Sequence, residues 1–346
     1  MHLETATTPE EVLRELRAAS EQRVEGKAKS GPPRVLDICQ ILALEVPAPK
    51  MLVESVLPTA GACLLFGAAK SGKTLLAVQT LLAVAGGRPL FDYYHVLEPG
   101  PVLIVEQDDP AGAGSLKAIL ERSAALVADL PFYLAPRIPY TFGSALSTWL
   151  GEQIKSRGLR LVVLDSYTAL RGSRAGGADI VKVEQTDLTS LDELAKRTGC
   201  CILVVHHSSK GSAGLDWSDK AAGTYAMSAA TEMQIHITRF GELETSAPER
   251  LVRVRGRHTE GGDMVLRFRK DSLDYEHVLE GGAAPLFPLV REIETAFGTQ
   301  SFGPMELSNA IGMSRRTAHR YIDELYRAGS LSKRGYGEYA LTGGRP

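Results

Sequence analysis

An apolar run, residues 62–66, passes directly into Gly67-Ala68-Ala69-Lys70-Ser71-Gly72-Lys73-Thr74 and then into an apolar stretch of helical character, residues 74–85. No other feature restricts the fold so tightly. A G-x-x-x-x-G-K-[ST] segment between a strand and a helix is a backbone cradle for phosphate. Its glycines allow the curl that turns successive N–H groups inward, and the first turn of the helix adds partial positive charge. Gly67, Ala68, Ala69, Lys70, Ser71, Gly72, Lys73 and Thr74 are therefore the expected ATP-binding residues, with Lys73 on the β- and γ-phosphates and Thr74 on Mg²⁺.

Around this loop, short apolar runs at 62–66, 102–105, 161–164 and 201–205 alternate with helical stretches at 74–85, 116–128, 144–157 and 181–198. Unbroken apolar strands separated by helices predict an α/β fold with a mainly parallel central sheet covered on both faces. Closer-spaced runs at 233–238, 251–255 and 265–268 are expected as antiparallel additions at one edge. Residues 1–40 read as an arm and linker carrying one amphipathic helix near 9–19, residues 41–280 as the nucleotide-binding core, and 287–346 as a small separate unit. Gly- and Ala-rich residues 280–285 look like the connection.

In such a sheet the strand ends gather beside the phosphate loop. Asp165 ends the run 161–164, which places it in the Mg²⁺ shell. Hydrolysis also needs a carboxylate to orient water and take its proton. Glu106, Asp108 and Asp109 crowd the end of the run 102–105, and alternation along a strand puts Glu106 and Asp108 on one face. Run 201–205 leads into His206-His207; neighbours on a strand face opposite ways, so the pair makes a poor metal site.

This ordered set, closing with His206-His207-Ser208-Ser209-Lys210, resembles the RecA-like ATPases of the AAA_25 group over roughly residues 40–275. Within it, RepA-type hexameric replicative helicases are the nearest well-known relatives, and DnaB-type helicases and RecA are more distant. The resemblance implies that His207 senses the γ-phosphate. It implies that the Gly/Ser-rich loop bearing Lys210, Trp217 and Lys220, and a second loop from Arg171 to Gly177, face single-stranded DNA. In that group a Glu usually stands where Asp108 falls here, so the base stays open between Asp108 and Glu106. Arg253-Val254-Arg255-Gly256-Arg257 places alternate arginines on one strand face. Arg255 and Arg257 are similar to the Lys-x-Arg element of DnaB-type motors, which reaches the nucleotide of the neighbouring subunit. That likeness implies a homo-oligomer, hexameric by family.

Near the C-terminus, residues 305–312 read as a helix stopped by Gly312, Ser314 as the N-cap of a second helix from Arg315 to Ala328, and 330–341 as a hairpin. Ile322, Leu325 and Tyr326 are expected on the buried side of the second helix. The arrangement resembles a winged helix-turn-helix, with Arg315, Arg316 and Arg320 toward the major groove and Lys333 and Arg334 on phosphates.

The formal charge of −2 excludes a generally basic polymer binder, so contact with DNA must come from such local patches. Cys39, Cys63, Cys200 and Cys201 form no Cys-x-x-Cys pair and read as ordinary thiols of a reducing compartment. With no membrane-length apolar run and no secretion signal, the expected location is cytoplasmic. Two readings of function follow. One is an ATP-driven DNA motor in replication or recombination of a plasmid, phage or mobile element. The other is an ATP-switched DNA-binding regulator or loader with slow hydrolysis. A small-molecule kinase would leave the sensor and arginine elements without a task.

Overall fold

A strand buried on both faces needs two layers of cover, and the sequence supplies helices for both. The computed structural model describes residues 35–43, 49–109, 114–122, 129–172, 180–207, 227, 229–240, 248–257 and 261–342. The chain divides into two units, residues 1–50 and 51–346. In the first, Asp37 caps a short helix, α1 (Ile38–Leu42): it accepts the Gln40 amide, and the Gln40 side chain accepts the Asp37 amide. Val35, Ile38, Ile41 and Leu42 of this unit are exposed. The helix expected near 9–19 lies outside the described residues.

The second unit begins with an antiparallel pair, β1 (Met51–Val53) and β2 (Leu57–Pro58). A nine-stranded sheet follows, in the order β11-β10-β9-β8-β3-β7-β6-β4-β5. Its strands are β3 (Gly61–Gly67), β4 (Val102–Glu106), β5 (Phe132–Pro136), β6 (Leu161–Asp165), β7 (Cys201–His207), β8 (Met233–Arg239), β9 (Glu249–Gly256), β10 (Gly262–Arg269) and β11 (Asp274–Glu280). Helices α2 (Lys73–Gly86) and α3 (Gly114–Arg122) cover one face, packing Leu76, Leu81 and Leu116 with Leu65, Ile104 and Val163. Helices α4 (Ser144–Arg157), α5 (Tyr167–Leu170) and α6 (Ile180–Thr198) cover the other, where Leu150, Leu170 and Leu191 meet Leu64, Val105 and Leu164. Neighbouring residues such as Leu64 and Leu65 thus feed opposite layers, as the period of two requires.

The antiparallel edge begins one strand later than expected. Strand β8 runs parallel to β3, and only β9, β10 and β11 alternate in direction. Two strands are additional to the runs read from the sequence. Edge strand β5 is only partly buried along its length and ends in Pro136. In β11 only Tyr275 and Val278 are buried. The four cysteines are free thiols, with Cys63, Cys200 and Cys201 buried and Cys39 exposed. Among the described residues no helix is long and apolar enough to cross a membrane.

Beyond the sheet come α7 (Phe287–Phe297), α8 (Pro304–Ile311), α9 (Arg315–Arg327) and a hairpin of β12 (Leu331–Gly335) and β13 (Glu338–Leu341). Helix α7 is additional to the elements read from the sequence. Gly312, at φ 74°, ends α8, and Ser314 Oγ accepts the Thr317 amide at 3.1 Å to start α9. Ile293, Leu307, Ala318, Ile322, Leu325 and Leu331 form the core of this region. Tyr326, expected there, is 48% exposed and only meets the Tyr339 ring edge-on at 5.9 Å. The stripe that turns inward is Ala318, Ile322 and Leu325, and Tyr326 falls beside it. Residues 280–285, read as a linker, are instead packed. Ala283 and Ala284 are fully buried, and Ala284 and Phe287 lie against Leu251, Val265 and Val278 of the sheet.

Candidate active site

Strand β3, buried throughout, delivers the loop at its carboxyl end. Gly72, at φ 105°, occupies the N-cap of α2 with no side-chain cap, so the first amides of the helix point into the cleft. A Cβ at Gly72 would lie 1.9 Å from the Tyr275 hydroxyl, and one at Gly67 would lie 2.3 Å from the Ile237 carbonyl oxygen. Only glycine fits either place. Lys73 is 4% exposed, and its Nζ donates to the carbonyls of Gly67 at 3.1 Å and Ala68 at 2.9 Å. Burial lowers the pKa of this ammonium, against the opposing pull of Asp165 and Asp108. Ser71 Oγ is buried with no hydrogen-bond partner among the described residues. An orphaned hydroxyl, uncapped amides and a cradle without room for side chains fit a polyphosphate.

Sheet register brings the remaining groups to the same edge. Gly67 pairs with His207, and Glu106 pairs with Asp165. Thr74 Oγ1 donates to Asp165 Oδ2 at 2.7 Å, the juxtaposition of hydroxyl and carboxylate that suits a divalent cation. Asp165 is 3% exposed; burial raises its pKa, partly offset by the Thr74 hydrogen bond. Glu106 is 5% exposed, and burial, reinforced by the charge of Asp165, pushes it up to about 7.

Glu106 and Asp108 do not share a strand face. The strand stops at Glu106, whose Oε1 accepts the amides of Asp108 at 2.9 Å and Asp109 at 3.0 Å. Two amides converging on one carboxylate bend the chain and turn Glu106 inward. Asp108 swings out into the cleft, accepts the Ser166 hydroxyl at 2.5 Å and lies 3.5 Å from His207 Nε2. The two histidines also part. His207 is exposed beside Asp108, while His206 is covered by the Tyr167 ring, edge-on at 5.6 Å, and burial pulls its pKa down to about 4. The cleft between these groups measures about 440 Å³ and is bounded also by Leu75, Ser115 and Ile119.

Several residues bearing on the loop had no signal in the sequence. Arg239, Arg250 and Tyr275 reach it from other elements; all three lie more than 160 positions downstream, where no local pattern could connect them. Arg255 and Arg257 are placed elsewhere. Arg255 pairs across the sheet with Gln234, which is level with Leu64, so β9 carries both arginines toward the amino edge of the parallel strands. Leu64 is three residues of strand, roughly 10 Å, from Gly67, and Arg257, whose amide donates to the Glu232 carbonyl beside Ala62, lies about five residues, roughly 16 Å, away. Arg255 binds Asp263 at 2.8 Å, and the Arg257 guanidinium donates to the Ala229 carbonyl. Arg315, Arg316, Arg320, Lys333 and Arg334 are all exposed. Lys210, Lys220 and Trp217 lie outside the described residues, as does most of the loop after Arg171.

A parallel sheet with its phosphate loop at the end of a central strand and carboxylates on the two strands beyond its neighbour defines a P-loop nucleotide-binding protein of RecA-like layout. The AAA_25 family, described as an AAA domain, matches residues 29–213, more than half of the chain, and the chain belongs to that family. Among solved structures it is similar to one titled as an ATPase domain, at 9% identity and a TM-score of 0.50, over 77% of this chain and 99% of that one. It is also similar to the structure titled "Crystal structure of the RadB recombinase", at 18% identity and a TM-score of 0.45, over 64% of this chain and 94% of that one. The first likeness supports the RecA-like ATPase fold.

Proposed function

We propose that this chain hydrolyses ATP and acts on DNA as a ring-forming motor in replication or recombination, in the setting of a plasmid, phage or other mobile element. The observation that carries the ATP half is the meeting of Lys73, Thr74 and Asp165 at one strand edge, with Thr74 Oγ1 2.7 Å from Asp165. Lys73 serves the β- and γ-phosphates, and Thr74 and Asp165 are the residues that would hold Mg²⁺. The metal, when bound, neutralises phosphate charge.

Asp108 is the better candidate for the base, because its carboxylate reaches the cleft while that of Glu106 is spent on two turn amides. His207, beside Asp108, is placed to respond when the γ-phosphate charge leaves. Arg255 and Arg257 sit too far along the sheet to serve their own loop, which favours action on a neighbouring subunit's nucleotide. On that reading the protein is a cytoplasmic homo-oligomer, six-membered by family resemblance.

The DNA half rests on cations. Lys210 and Lys220 carry the single-strand contact by resemblance. Arg315, Arg316 and Arg320 of α9, with Lys333 and Arg334 of the hairpin, are exposed on a region read as a winged helix-turn-helix that binds duplex. That same exposed cationic surface also favours the second reading, an ATP-switched regulator or loader. One assay separates them: ATP turnover with and without single-stranded DNA, with Lys73→Ala as the inactive control. Strong stimulation with strand separation supports the motor. No stimulation, with tight binding to one duplex sequence, supports the regulator. Mixing Arg257→Ala with Lys73→Ala protein restores turnover if the arginine acts across subunits; no recovery removes that role.

A further inference from the structure

Three consecutive residues of the phosphate loop are gripped by three strands on one side of it. The Arg239 guanidinium of β8 donates to the Lys70 carbonyl at 2.9 Å. Arg250 Nε of β9 donates to the Ser71 carbonyl at 3.2 Å. Tyr275 of β11 stands so close to Gly72 that its hydroxyl fills the space of a Cβ. Arg250 is 8% exposed and Tyr275 2%, and their side chains are hydrogen-bonded to one another. Tyr275 is itself clasped by Gln79 of α2, whose amide donates to the Tyr275 carbonyl at 2.6 Å and accepts the Tyr275 N–H at 2.8 Å.

A guanidinium is costly to bury unless its donors are satisfied. Here they are met by the loop carbonyl, the phenol and the Glu249 carbonyl at 2.7 Å. Such an arrangement fixes the curl of the loop more firmly than backbone turns alone. The preceding residue extends the connection. Glu249, 4% exposed, receives Arg267 at 3.3 Å and Arg291 of α7 at 3.5 Å. Charged contacts therefore run without a gap from α7, through Glu249-Arg250, to Ser71.

We propose that Arg250 and Tyr275 are positioning residues that hold residues 70–72 in their phosphate-binding curl, and that the Arg291–Glu249 pair makes this curl depend on how the C-terminal helices are seated. The proposal rests on reading the cleft as an ATP site. It differs from the roles given to Lys73 and Asp108, because neither Arg250 nor Tyr275 need touch the nucleotide.

The test uses the full chain with Tyr275→Phe, Arg250→Lys and Arg291→Ala, reading KM and kcat for Mg·ATP, the thermal midpoint, and hydrogen exchange of amides 71–76 without nucleotide. Losing one charge-assisted bond predicts that Tyr275→Phe and Arg250→Lys raise KM about tenfold, with kcat changed less than about twofold. Loop amides should exchange about tenfold faster while the thermal midpoint moves by only a few degrees. Arg291→Ala should raise KM about threefold with the same exchange pattern. Unchanged KM and unchanged loop exchange in the folded Tyr275→Phe protein overturn the positioning role, and the same result in Arg291→Ala overturns the link to α7. Because exchange is read without nucleotide, a wild-type chain that fails to bind ATP sinks the functional reading while the clamp is still decided by exchange.

Discussion

The parallel strands β3, β4, β6 and β7 and the antiparallel strands β9, β10 and β11 share one sheet yet serve the cleft differently. The first group ends at the cleft: Gly67, Glu106, Asp165 and His207 are each the final residue of a strand. The second group supplies side chains that reach the back of the loop, Arg250 and Tyr275. The groups at the cleft are thus set by where strands stop, and the back of the loop by what packs behind it. The two kinds of residue should respond differently to substitution.

The largest separation is expected within the parallel group. Asp108→Asn should lower ATP turnover by about 10² or more, whereas Glu106→Gln, which can still accept the turn amides, should keep turnover within about tenfold. Steady-state kinetics at saturating ATP checks this; the reverse ranking would make Glu106 the base.

Gly72→Ala brings the two groups into collision. A methyl at positive φ against the Tyr275 hydroxyl should cost about 2–4 kcal/mol in denaturant unfolding. Adding Tyr275→Phe should return part of that loss, since substitutions in contact are not additive. Strict additivity would show that the hydroxyl is not what fills the space.

Stability against pH gives a subtler contrast. Glu106 is raised to about 7, so the folded state binds the extra proton, and stability from this group falls as pH rises from about 4.5 to 7. His206 is lowered to about 4, so the unfolded state binds the extra proton, and stability from it rises with pH between about 4 and 6.5. The two oppose each other across one window. Glu106→Gln should unmask the histidine: unfolding free energy should climb by on the order of 1–3 kcal/mol between pH 4.5 and 6.5, where the parent stays flatter.

The smallest effect lies far from both groups. Ser314→Ala removes the cap of α9 and should cost about 1 kcal/mol, with ATP turnover in the absence of DNA unchanged.

Much of the parallel half was legible because its signals are local. A strand buried on both faces prints an apolar run, and the loop 67–74 carries its own spacing. Asp165 could be placed because it follows such a run directly. What escaped was whatever depends on a partner far along the chain or on a strand only half covered. Strand β5 was missed although residues 132–135 are all apolar, because Pro136 cuts the run short and an edge strand is only partly covered. The parting of Glu106 and Asp108, expected on one face, was invisible because it turns on where β4 stops, which two amide hydrogen bonds decide and composition does not. His206 and His207 could be separated in principle, since neighbours on a strand face apart, but which faces the cleft depends on the seating of Tyr167 above.

Ala284 and Phe287 lie against Leu251, Val265 and Val278 of the sheet. Anyone trimming this protein to a minimal ATPase by cutting after residue 280 would strip that plug and bare an apolar hollow on the sheet. A cut after residue 287 would keep the plug but sever α7 at its first turn and take Arg291 from Glu249. The two halves cannot be parted cleanly at the glycines, and a chimera that swaps the C-terminal helices and hairpin has to carry the seam with it.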